Sequence, residues 1–131
     1  FDQACESAEA LLPYGIYTIP EISMIGKTEQ ALTEEKIPYE VGAARFDELA
    51  RGAILGVNIG YLKILFEPES LKILGVHIIG ENASELIHEI CVAKALEGTV
   101  DDIIATMHAH PTMAESMHEA ALGAEGRMIH G

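Results

Sequence analysis

The sequence predicts an α+β fold, an antiparallel β-sheet with helices packed on one face. Strand-like alternation dominates the middle of the chain, where Leu62, Ile64 and Phe66 alternate with Lys63 and Glu67. After Gly80 the apolar spacing changes to helical, with Ala83, Leu86, Ile87 and Ile90 on one stripe. Strands come first and helices after, the order expected of α+β rather than of alternating βαβ units.

Taken in order, the first dozen residues, with Ala4, Cys5, Ala8 and Leu11 on one side, read as a short helix stopping before Pro13 and Gly15. Ile16 to Ile25 reads as a strand interrupted by Pro20. Thr28 is placed to cap a short helix over Glu29 to Glu35 that ends near Pro38, and Tyr39 to Phe46 reads as another strand. Leu62 to Phe66, the Pro68-Glu69-Ser70 turn and Ile73 to Ile79 form an antiparallel hairpin, with Gly75 marking a bulge and Gly80 the strand end. Asn82 as N-cap, Glu85 at the third helical position and Gly98 past the end bracket a long helix. Thr99 with Asp102 repeats the capping pattern for Val100 to Met107, and Thr112 with Glu115 does so for a last helix reaching about Leu122.

Composition excludes several classes. The 21 acidic and 8 basic residues give a formal charge of -13, which repels phosphate backbones and anionic membranes, so neither nucleic acid nor a membrane is expected as partner. No run approaches the roughly 20 apolar residues of a spanning helix. The N-terminal residues show neither a basic segment nor an apolar core of a secretory signal. Cys5 and Cys91, the 2 cysteines, are too far apart in sequence for a CxxC redox motif and make no disulfide framework, which suits a reducing, cytoplasmic setting.

The chemistry concentrates in the histidines. Of 6, three (His108, His110 and His118) stand close together around Pro111. Such residues serve as acid-base groups, as ligands or as ordinary half-buried side chains. Glu85 with His88 and Glu115 with His118 form two Glu-x-x-His pairs like those of di-iron carboxylate bundles, but such bundles need two further helices donating glutamates, and the middle of this chain is strand. His108 and His110 share a face only if their segment is extended, so one of them is free to point away from any common site. His77 alternates with Val76 and Ile78 and reads as a solvent-side strand residue, and His130 as part of a flexible tail. His110 and Glu115 make a plausible pair: a carboxylate accepting one ring N–H fixes the tautomer and leaves the other nitrogen to exchange a proton. Glu115 is equally well placed as the third residue of a capping box begun by Thr112.

The string His108-Ala109-His110-Pro111-Thr112-Met113-Ala114-Glu115 resembles the signature near the C-terminus of the pyridine nucleotide-disulfide oxidoreductases, a family that includes dihydrolipoamide dehydrogenase and glutathione reductase. Further matches follow the family's order: Tyr17 to Glu21, Gly26 to Glu29, Leu62 to Ile64 and Ile73 to Gly80. The resemblance covers about residues 16–125 and implies the family's C-terminal dimerisation domain over 15–125. Residues 1–14 would then be a remnant of the preceding flavin-domain helix and 126–131 a flexible tail.

In that family the domain forms a two-fold homodimer interface and its histidine reaches the partner subunit's active site as acid-base for dithiol exchange. By resemblance His110 takes that role, Glu115 orients it, the bond before Pro111 is cis, and His110 and Pro111 stand against the partner's flavin. FAD and NAD(P) are implied for the full-length parent, with none expected in the isolated chain, whose missing partners are the FAD- and NAD-binding domains. Tyr17 to Glu21 and Glu48 to Gly52 look most like the soluble pyridine nucleotide transhydrogenases, which move hydride without a thiol and usually carry no histidine at this position, whereas the intact His-Pro-Thr-x-x-Glu element looks like a lipoamide dehydrogenase. Two other readings stand beside this one: a separate dimerisation or docking module with structural histidines, and a metal-binding domain using the Glu-x-x-His pairs.

Overall fold

A computed structural model of the chain describes residues 11–129. The helix expected over the first dozen residues lies almost wholly outside them, as do Cys5 and His130. Five antiparallel strands, β1 (Tyr14–Ile16), β2 (Glu21–Gly26), β3 (Glu40–Arg45), β4 (Gly60–Phe66) and β5 (Ile73–Gly80), form one sheet in the order β1-β2-β5-β4-β3. Five helices accompany them: α1 (Glu29–Glu34), α2 (Ala50–Leu55), α3 (Ala83–Ala95), α4 (Val100–Ala105) and α5 (Glu115–Ala124).

Register explains the core. Ile25 pairs with Val76, Val76 with Ile64 and Ile64 with Gly42, while Ser23, Ile78, Leu62 and Ala44 form the next row. Both rows lie on one face, buried under α3 and α5. Each row ends at β3 in a small residue, Gly42 or Ala44, and that is where α5 comes closest: a Cβ on Gly42 would stand 2.1 Å from the Ala120 carbonyl oxygen. At the other side Ser23, also buried, donates to the Ala83 carbonyl oxygen at 2.5 Å and ties β2 to the start of α3. The expectation of helices over one face holds for α3, α4 and α5. The short α1 lies against the opposite face, where its Glu29 pairs with Lys63.

Local signals act as their chemistry requires in several places. The Thr28 hydroxyl accepts the Ala31 N–H at the start of α1, and Thr99 with Asp102 forms a complete capping box on α4. The β4–β5 hairpin turns over Glu67 to Lys72, where the Glu67 carboxylate accepts the Ser70 N–H at 2.6 Å. The extra residue of the bulge is Leu74, next to Gly75, because Leu65 pairs with Gly75 and Phe66 with Ile73.

Other expectations need correction. Ile16 to Ile25 is not one interrupted strand: β1 and β2 reverse around the cis Ile19–Pro20 bond and pair Tyr14 with Met24 and Ile16 with Ile22. Pro20 has no N–H for a ladder, and the Thr18 hydroxyl closes the turn on the Pro20 carbonyl oxygen at 2.8 Å. Asn82 precedes α3 in a left-handed conformation (φ 62°) and gives no side-chain cap. Glu21 of β2 takes its place, accepting the Ser84 N–H at 3.0 Å and hydroxyl at 2.6 Å. α2 carries no N-terminal signal, since Leu49 at its N-cap makes no side-chain bond; its sequence mark is at the other end, where Gly56 closes the helix in the left-handed conformation (φ 67°). After residue 125 the Arg127 N–H donates to the Leu122 carbonyl at 2.9 Å and the Ile129 N–H to Glu119 Oε2 at 3.1 Å.

Two outcomes follow. Gly42→Ala forces α5 off the sheet, and urea unfolding followed by circular dichroism should show a loss of about 1–3 kcal/mol, the usual range for overpacking; an unchanged midpoint would mean α5 does not rest on β3. The Ser84 hydroxyl and N–H hold the Glu21 carboxyl below the usual glutamate range. A carboxyl lowered in the folded state stabilises above its unfolded pKa, and that stability disappears as pH falls through the folded value. The stability difference between wild type and Glu21→Gln should therefore be present at neutral pH and shrink below about pH 4.5; a difference that grows in acid would contradict the assignment.

Candidate functional site

The loop from Thr106 to Ala114 joins α4 to α5 and carries His108, His110 and Pro111. It starts where α4 ends, with the Thr106 N–H returning to the Asp102 and Ile103 carbonyls. It ends where buried Met113 and Met117 anchor the first turn of α5 in the core. Between these points the Thr112 hydroxyl donates to the Ala109 carbonyl oxygen at 2.7 Å, folding the loop around the cis His110–Pro111 bond.

Glu115, the first residue of α5, faces both functions that its spacing allows. Its Oε2 accepts the Thr112 N–H at 2.9 Å, and its Oε1 lies 2.9 Å from His110 Nδ1. The carboxylate is thus the returning half of a capping box and the partner of the imidazole at once. The other half of the box is missing, because the Thr112 hydroxyl is turned to Ala109. Glu115 is largely covered, with 18% of its side chain exposed, whereas His110 is 61% exposed. With Nδ1–H donating to Glu115, the His110 Nε2 lone pair is left to face outward. A fixed tautomer with one nitrogen accessible suits proton exchange with a group arriving from outside this chain.

His108 and His110, two residues apart, face opposite ways. The His108 side chain is 7% exposed, with Nε2 2.8 Å from Glu89 Oε1 on α3 and Nδ1 3.1 Å from the Thr106 carbonyl oxygen. Its ring centroid is 5.8 Å from that of His118 on α5. Sequence reading gives no hint of the Glu89 contact, because 19 residues and a change of helix separate the partners. A cleft of about 360 Å³ lies beside this cluster, lined by His108, Glu115, His118 and Glu119 among others.

The remaining histidines are placed elsewhere. His88 Nδ1 meets the Glu85 backbone carbonyl oxygen at 3.2 Å rather than the Glu85 carboxylate. The two Glu-x-x-His pairs are not brought together, and among the described residues no three His, Cys, Asp or Glu side chains are gathered as a metal would need. His77 is a correction to the expected solvent-side residue. It lies on the sheet face away from the core, opposite Lys63 and Met24 in register, yet its two ring nitrogens are buried with no hydrogen-bond partner among the described residues. Burial, then the nearby Lys63 charge, hold its pKa below the ordinary histidine value. Cys91 is half-buried and its thiol pKa is pushed up by burial, the opposite of an activated nucleophile.

Comparison with known proteins gives a consistent set of likenesses. Residues 12–121 match the family model described as "Pyridine nucleotide-disulphide oxidoreductase, dimerisation domain". A protein of Serratia proteamaculans named soluble pyridine nucleotide transhydrogenase is 49% identical over 97% of this chain, which spans 29% of that protein. One of the same name from Pectobacterium carotovorum is 51% identical over 90% of this chain and 81% of its own length. In fold, LpdA from Mycobacterium tuberculosis superposes with a TM-score of 0.81 at 24% identity, over 86% of this chain and 25% of that one.

The shared carboxylate separates two single variants. Glu115→Ala removes the acceptor at the start of α5 and should cost about 0.5–2 kcal/mol in urea unfolding, as lost helix caps do. His110→Ala, at an exposed position, should stay within about 0.5 kcal/mol of wild type; equal losses would show that the imidazole, not the cap, is what Glu115 supports.

Proposed function

Since the chain belongs to the pyridine nucleotide-disulphide oxidoreductase family, as its dimerisation domain, we propose that it forms the two-fold interface of a homodimeric, FAD-dependent NAD(P)H oxidoreductase in the cytoplasm. The chain spans 29% of the Serratia relative, so the remainder of such an enzyme, with its flavin- and nicotinamide-binding parts, lies outside these residues. The observation that carries the site reading is the exposed His110 ring tethered through Nδ1 to a mostly covered Glu115. Among the described residues the one cysteine, Cys91, has its thiol pKa pushed up by burial, and in this reading His110 works on a group that the partner subunit supplies.

In this reading a bound flavin would supply the transfer of reducing equivalents between the nicotinamide and a second acceptor, and His110 and Pro111 would be the residues of this chain that face it. Their fit rests on exposure: the His110 ring is mostly open to solvent, while the largely covered Glu115 holds it through Nδ1. His110 takes a proton on Nε2 when a thiol must become a thiolate and returns it when the thiolate leaves. Glu115 holds the ring orientation through both steps and keeps Nδ1 protonated.

The relatives named soluble pyridine nucleotide transhydrogenase, about half identical to this chain, favour a transhydrogenase-like parent. The imidazole at position 110 favours one that also handles a dithiol. No helix among the described residues is long and apolar enough to cross a membrane.

Native mass spectrometry of the purified chain should give a homodimer without flavin or metal; a monomer retaining metal ions would favour the Glu-x-x-His reading instead. In a full-length parent, His110→Ala should reduce disulfide-linked turnover by about 10²–10⁴-fold, the usual worth of a positioned acid-base group, with the dimer intact. Unchanged kinetics would leave a transhydrogenase that passes hydride without using this residue.

A further inference from the structure

The α4–α5 loop is held by bonds of short range. Thr106 returns to α4, Thr112 to Ala109 and Glu115, and Ser116 to Met113. From the loop, the His108 side chain reaches across to another element of the fold, its Nε2 standing 2.8 Å from Glu89 Oε1 on α3. α3 in turn is fixed to the sheet by Ser23, by Glu21 and by the Lys94 ammonium donating to the Ile73 carbonyl oxygen at 2.8 Å. A rigid path therefore runs from the sheet through α3 to the loop residue two positions before His110.

His108 also fills space. With Thr106 it lines two clefts, one of about 470 Å³ beside α3 and α4 and the other of about 360 Å³ beside α5. The ring stands between them, with His118 at its side and Glu89 at its tip. Both hydrogen-bonding neighbours, the Thr106 carbonyl and the Glu89 carboxylate, are acceptors, so a protonated ring nitrogen on either side donates to fixed oxygen.

We propose that Glu89 and His108 are positioning residues for His110, the α3-to-loop bond setting the backbone so that the His110 ring stays in its Nδ1–H form against Glu115. The role rests on the reading of His110 as the working group, and it adds two residues that touch neither substrate nor cofactor. The Nδ1–H form is the one a free imidazole side chain adopts less, so it persists only while the ring is kept in reach of Glu115. Without the tether, rotation about residues 108–110 carries Nδ1 away from the carboxylate and the ring reverts to the Nε2–H form. A proton would then sit on the nitrogen meant to accept one.

The test reads the His110 tautomer directly in the 131-residue chain. Long-range ¹H–¹⁵N correlation spectra at about pH 8, where an ordinary imidazole is neutral, distinguish a protonated from an unprotonated ring nitrogen. In wild type, Nδ1 of His110 should read as protonated and Nε2 as unprotonated. Glu89→Ala and His108→Ala should each cut the Nδ1–H fraction at least twofold, while Glu89→Gln, which keeps an acceptor oxygen, should retain most of it. A purely structural pair would lower thermal stability in both alanine variants and leave the tautomer alone, and that result overturns the proposal. Should His108→Ala fail to fold, Glu89→Ala alone decides, because Glu89 sits at the partly exposed edge of α3. Turnover of His110→Ala in the parent judges the acid-base reading separately: an altered tautomer with unaltered turnover keeps the tether and discards the catalysis.

Discussion

One face of the sheet must be kept dry, and the arrangement of the whole domain follows from how α3 and α5 cover it. Ile25, Leu62, Ile64, Val76 and Ile78 make a continuous apolar surface only when β2 lies beside β5, a pairing of residues 49 (Gly26 with Gly75) to 59 (Glu21 with Gly80) apart in sequence. Once that surface exists, α3 crosses it over β2 and β5, and α5 settles on the small residues of β3. The α4–α5 loop, together with α4 before it, makes up the chain between those two covering helices. Its position is therefore dictated by burial of side chains that have no part in proton chemistry.

What was legible in the sequence is what is decided within a few residues. The β4–β5 hairpin, the Thr28 cap and the Thr99–Asp102 box are all local bargains between a side chain and a nearby backbone group, and each stands where its residues imply. The His110–Glu115 pair belongs to the same class, being five residues apart around one turn. Illegible were the interactions closed by tertiary structure. Glu21 replaces Asn82 as the cap of α3 across 63 residues, and His108 finds Glu89 across 19. Nothing in the local composition around Asn82 or His108 encodes a partner on another element. α2 was missed for a different reason: its N-terminal Leu49 is held by burial and not by capping.

The face opposite α3 and α5 is electrostatically distinct. Glu29 of α1 and Lys63 of β4 pair across it, and His77 lies beside them with its ring nitrogens covered. A neutral imidazole is the form that this setting favours, since both burial and the Lys63 charge oppose a second proton. His77 and His110 thus differ in kind: one is shut in and neutralised, the other exposed and tethered. Counting histidines in the sequence gives no means of separating them.

The double duty of Glu115 bears on how lineages of this domain can diverge. If His110 acts as proposed, a descendant that gives up that role is released from any need for an imidazole at position 110, but not from the need to satisfy the backbone where α5 begins, since Oε2 still has the Thr112 N–H to accept. Drift is therefore unequal across the pair. On that reading folding alone holds the carboxylate, which is silent about chemistry, and the residue at position 110 is the one that would report it.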